Sequence, residues 1–98
     1  MVNFDDARIR VLSHLNQVYG EGPDALVILD DRTIEKPYGW IFFYNSREFV
    51  ETGDFLHALG GNGPVVFEAA TGEIHQLQTA REPIVEIRRF EEGRGLEG

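Results

Sequence analysis

Residues 38–54 read YGWIFFYNSREFVETGD, and the run Gly39-Trp40-Ile41-Phe42-Phe43-Tyr44 inside them is the most aromatic of the chain. Aromatic and β-branched residues favour a pleated, half-buried surface, so this run predicts the central strand. Alternation along a strand sends Trp40, Phe42 and Tyr44 to one side and Ile41 and Phe43 to the other. Both sides carry bulk, so both need a cover. The rest of the chain reads as elements that extend this sheet or shield it.

Upstream, Asn3 is a good helix N-cap, with Asp5 and Asp6 in the first turn where carboxylates suit the positive helix end. Phe4, Ala7, Val11, Leu15 and Val18 follow at steps of three and four, widened by Ile9, Leu12 and Tyr19, which predicts an amphipathic helix ending at Gly20. Ala25–Leu29 predicts a first strand that pairs antiparallel with the central one. The polar segment Asp31–Pro37 is the expected link between them. After Tyr44, Phe49 and Val50 are expected to prolong an extended segment, and Asp54 to cap a helical turn over Phe55–Leu59.

Gly60-Gly61-Asn62-Gly63 predicts a backbone turn, since no lysine follows and Pro64 lacks the donor that a phosphate loop would use. Val65–Phe67 and Ile74–Leu77 are two further strands joined by a hairpin, with Gly72 at its positive-φ position. Thr79 and Glu82 have capping-box spacing ahead of a second helix from Pro83 to about Glu91. Residues 93–98 are expected to form a flexible tail beyond a domain of residues 1–92. The predicted class is α+β, a single domain with an N-terminal helix, a four-stranded, mainly antiparallel sheet and a C-terminal helix.

Ninety-eight residues, with 42% hydrophobic and 27% charged, suit one globular domain. No apolar run approaches the roughly 20 residues that span a bilayer, and the acidic, amphipathic start lacks the features of a secretory signal. Cysteine is absent, which removes disulfides and thiolate chemistry. Cytoplasm is the expected compartment. Seventeen acidic against nine basic residues give a net charge of −8. Such a balance disfavours nucleic acid and anionic membranes and suits a basic protein partner.

Candidate chemistry is sparse. His14, His57 and His75 fall in separate predicted elements without metal-ligand spacing. Asp30 and Asp31 are adjacent and suit a solvated turn better than a carboxylate pair. Ser13 and Ser46 lack a nucleophile-elbow pattern. No catalytic, cofactor or metal set emerges. An enzyme would require His57, His75 and an acidic residue to meet in one cleft.

The motifs do point to a family. Gly39–Phe49 resembles the aromatic-strand and S-R-E-F core of the immunity protein 35 family, the YrhB-like domain. Glu51-Thr52-Gly53-Asp54, Gly61-Asn62-Gly63-Pro64 and Thr71-Gly72-Glu73-Ile74-His75-Gln76-Leu77 are similar to its later segments in the same order. Thr79 precedes a similar final helix, so the match runs from about Ala25 to Phe90. The resemblance implies a small cytoplasmic bacterial protein, without enzyme activity or cofactor, that binds and neutralises a cognate polymorphic toxin domain. A chaperone-like, protein-stabilising role is the alternative it carries. Asp30, Asp31, Arg47, Glu48, Glu51 and Asp54 are the expected partner-binding residues, chosen for charge and loop position. Their partner is expected to be basic and to act on nucleic acid or nucleotides.

Overall fold

The computed structural model describes residues 1–19, 25–53 and 63–96. Helix α1 (Phe4–Tyr19) starts where the sequence predicts, with Asn3 Oδ1 accepting the Asp6 N–H at 2.8 Å. Strand β1 (Leu26–Ile28) leads into a 3₁₀ turn at Asp30–Arg32, followed by β2 (Ile34–Lys36), β3 (Gly39–Phe42) and β4 (Tyr44–Ser46). Helix α2 (Arg47–Thr52), strands β5 (Val65–Glu68) and β6 (Ile74–Gln76), and helix α3 (Pro83–Arg94) complete the order. A four-stranded antiparallel sheet has the order β2-β3-β5-β6, and β1 pairs antiparallel with β4 beside it.

The central run behaves as its alternation requires. Phe42 and Tyr44 lie with Val65 and Phe67 under Ala7, Val11 and Leu15 of α1, with Trp40 packed against them. Ile41 lies on the opposite face with Val66 and Ile87 of α3, and Phe43 and Phe90 pack against that cluster. The sheet is thus covered by one helix on each side, in three layers.

The edge next to β3 differs from expectation in one respect. Residues Ile34–Lys36, expected as linker, are the strand that joins the four-stranded sheet, whereas β1 pairs only with β4. Five residues separate Ile28 from Ile34, while two separate their partners Tyr44 and Ile41. The three extra residues are pushed out as the Asp30–Arg32 turn. One long polar-tipped edge is therefore split into two short strands against a single aromatic run.

Helix α2 corrects a second expectation. Phe49 and Val50 are helical, because Ser46 in extended conformation caps the segment and its Oγ accepts the Phe49 N–H at 3.1 Å. Gly53, in the left-handed region at φ 71°, closes the helix. The turn predicted at Asp54–Leu59, and Gly20 and Gly60–Asn62, lie outside the described residues.

Helix α3 begins at Pro83 with Glu82 as N-cap and no side-chain cap bond, so Thr79 does not make the expected capping box. It also runs three residues beyond Glu91, to Arg94, and Gly95 at φ 67° ends it. Part of the segment expected as a tail is therefore a docked helical turn. The anchor is Arg94, whose guanidinium reaches Glu68 on the sheet.

A candidate interaction surface and a partly buried charge cluster

Sequence reasoning nominated two acidic neighbourhoods, and the fold sets them at opposite ends of the β1–β4 ladder. At one end the Leu29 N–H donates to the Phe43 carbonyl, and the 3₁₀ turn projects beyond it. At the other end the Arg47 N–H donates to the Ala25 carbonyl and α2 begins. The nominated residues thus do not converge. Asp30 is held by Arg8 of α1 in a two-point contact, Nε to Oδ1 at 2.7 Å and Nη2 to Oδ2 at 2.8 Å. That bond outweighs desolvation and holds the Asp30 carboxyl below its ordinary range. The pair is solvent-exposed, so its stabilisation is modest. Asp31, beside it, is exposed.

On α2, Arg47 and Glu51 are exposed and Glu48 is half-buried. Arg47, Val50 and Glu51 stand at i, i+3 and i+4, one face of a helix. Val50 is 48% exposed at the middle of that face. Asp54 lies outside the described residues.

A second cluster was not anticipated. The β5–β6 hairpin sets Glu68 opposite Glu73, with the Glu68 N–H donating to the Glu73 carbonyl at 3.0 Å. Two like charges directly opposed on a ladder repel and call for a cation. The chain supplies Arg94, which contacts Glu68 Oε2 at 2.9 Å and Glu73 Oε2 at 3.4 Å. His75 Nε2 sits 2.8 Å from Glu68 Oε2 and 3.3 Å from Glu73 Oε2, its ring 5.0 Å from that of Phe90.

Burial is the largest influence on Glu68 and pushes its pKa up. The hydrogen bonds from His75 and Arg94 together overcome it, so the carboxyl is held below its ordinary value. The neighbouring Tyr38 hydroxyl donates to Glu91 Oε2 at 2.8 Å, and Lys36 Nζ approaches the same oxygen at 3.1 Å. Burial first, and the Glu91 bond second, raise the Tyr38 pKa.

These groups fasten α3 to the sheet. Among the described residues, three buried apolar side chains form the core cluster on that face and nine form the one on the α1 face. Glu68, Glu73 and His75 approach one another closely enough to share a cation. Arg94 already contacts both carboxylates, so the trio forms an ion-pair junction between α3 and the sheet. His75 does meet acidic residues, while His57 lies outside the described residues. A signal for the cluster was present in VVFE, where Glu68 shares a strand face with buried Val66.

The sequence profile described as Immunity protein 35 matches residues 5–92, nearly the whole chain. The chain belongs to the immunity protein 35 family. The protein described as uncharacterized protein YrhB of Escherichia coli (strain K12) is 49% identical to it over 43 residues. That alignment spans 44% of this chain and 46% of the relative, less than half of each. No solved structure matches the chain. For an immunity protein 35 member the functional surface is expected where a partner can dock. No helix among the described residues is long and apolar enough to cross a membrane.

Proposed function

We propose that this immunity protein 35 member binds a cognate toxin domain in the bacterial cytoplasm and neutralises it by covering its active or substrate site. Family membership supports a toxin partner in general. The observation that carries the choice of surface is the outward face of α2, where exposed Val50 is flanked by Arg47 and Glu51 with Glu48 beside them. An apolar anchor inside a charged rim is the usual composition of a protein interface.

A stable interface needs about 800 Å² from each partner. Six residues of α2 cannot provide that alone. The contact therefore extends to further surface, and Asp31, Asp54 and the part of Asp30 not engaged by Arg8 are the proposed additional charges. The −8 net charge favours a basic partner, as expected of a toxin that works on nucleic acid or nucleotides. Inhibition by occlusion requires no bond to be made or broken, so affinity and position suffice.

The test isolates the partner with tagged protein from its own host, then titrates the purified partner against wild type and against Glu48→Lys with Glu51→Lys. A stoichiometric complex weakened at least about tenfold by the double reversal supports both function and surface. An unaffected complex moves the surface elsewhere. Many substoichiometric partners, enriched after heat, point to the protein-stabilising role instead.

A further inference from the structure

The sheet ends at β6, and among the described residues no strand pairs with its outer side. The Glu68 N–H donates to the Glu73 carbonyl and the Leu77 N–H to the Pro64 carbonyl. In an antiparallel ladder, inward and outward backbone groups alternate. Glu73, His75 and Leu77 therefore turn their backbone groups towards β5, and Ile74 and Gln76 turn theirs outwards. The opposite edge is better closed, because β2 lies between the Asp30–Arg32 turn and Pro37, which lacks a donor.

We propose that the outer edge of β6 pairs antiparallel with β6 of a second copy of this chain, about a two-fold axis at His75. The register is self-complementary. A dyad at His75 sets Ile74 opposite Gln76 of the second copy, so the outward groups of both residues meet as hydrogen-bonded pairs. The same register sets Glu73 of the second copy opposite Leu77.

Leu77 lies in a groove between β6 and α3 that is also lined by Gln76, Arg81, Glu86, Arg89 and Phe90, with Arg81 Nη1 3.5 Å from Glu86 Oε1 inside it. Glu73 is 49% exposed and Arg81 50% exposed at the side chain, and Arg89 is exposed without an ion pair among the described residues. Glu73, which also contacts Arg94 at 3.4 Å and His75 at 3.3 Å in its own chain, thus faces Arg89 of the second copy, twice by symmetry. Gly93 stands one helical turn from Arg89, with open space where a Cβ would be, and leaves room for the approach.

Charge also explains why this edge is suited to self-contact in a chain that repels itself elsewhere. Arg81 and Arg89 place two of the nine basic residues in the groove beside β6, with Glu86 the acidic side chain among its lining residues, against the −8 of the whole. Screening at physiological salt, with a Debye length of about 8 Å, leaves the local contacts to outweigh the distant repulsion. The interface is small, which makes the dimer weak and reversible.

Analytical ultracentrifugation of the full chain from about 10 to about 500 µM covers weak association. A monomer–dimer equilibrium is expected. In parallel, amide exchange followed by NMR should show the Ile74 and Gln76 N–H groups exchanging fast when dilute and slowing with concentration. Arg89→Glu, on an exposed position, should weaken the dimer about tenfold while leaving the His75 amide protected. A monomer throughout the range overturns the proposal. So does a dimer in which the Ile74 and Gln76 amides stay as fast as at dilution, or one indifferent to Arg89→Glu.

Discussion

Replacing Glu68 by Gln tests how α3 is held. Glu68 is 6% exposed and accepts from His75 Nε2 at 2.8 Å and from Arg94 Nη2 and Nε at 2.9 and 3.2 Å. Gln keeps the shape but not the charge, and its amide can turn only one acceptor oxygen to these donors. A hydrogen bond to a charged group contributes about 1.5–3 kcal/mol, and removing one member of a fully buried pair costs about 3–5 kcal/mol. Arg94 is 42% exposed, so solvent recovers part of the loss. The expected cost is about 2 kcal/mol, a roughly thirtyfold shift in the folding constant, read from urea unfolding at neutral pH.

The pH dependence gives an independent reading. Because Glu68 has a lower pKa folded than unfolded, its contribution is present above the ordinary carboxylate range. It disappears as pH falls through the depressed folded value. Glu68→Gln should therefore lose less stability than wild type on acidification, and the two curves should converge in acid. A cost under about 0.5 kcal/mol, the scatter of ordinary surface substitutions, would refute the reasoning. Parallel acid curves would refute it equally.

Two further predictions follow from the backbone. Gly39→Ala should destabilise by about 3 kcal/mol or more in the same unfolding assay, because φ is +153° and an added Cβ would lie 1.9 Å from the Phe67 carbonyl oxygen. Ser46→Ala should cost about 1 kcal/mol, the usual value of a lost N-cap, and should speed amide exchange at Phe49 ahead of the core strands.

The layered fold was legible because its signals are strong and local. Period-two alternation in Trp40–Tyr44 assigns the two sheet faces, and steps of three and four along Ala7, Val11 and Leu15 give the covering helix. Gly72 at φ 78° closes the hairpin as its position implied. The misreadings share a cause, which is tertiary pairing that short polar segments do not advertise. Ile34-Glu35-Lys36 carries one apolar residue, and its strand state comes from the ladder with Ile41, Trp40 and Gly39. Helix α2 starts at a Ser46 hydroxyl cap, a feature that equally suits a turn.

The charge cluster was harder still to foresee. Glu68 and Arg94 are 26 residues apart and meet only because α3 folds back over the sheet. Charge and loop position nominated Asp30 and Arg47 together, but the ladder between them holds the two apart. Neither distance is written in the local sequence.

The central claim, that this chain is an immunity protein acting by occlusion, is tested most directly on the isolated partner toxin's own reaction. Increasing amounts of the purified protein are added to a fixed amount of active toxin. Activity should fall linearly to near zero at one equivalent, with Glu48→Lys plus Glu51→Lys requiring excess. Full toxin activity beyond one equivalent of wild type, with the complex demonstrably formed, would contradict it.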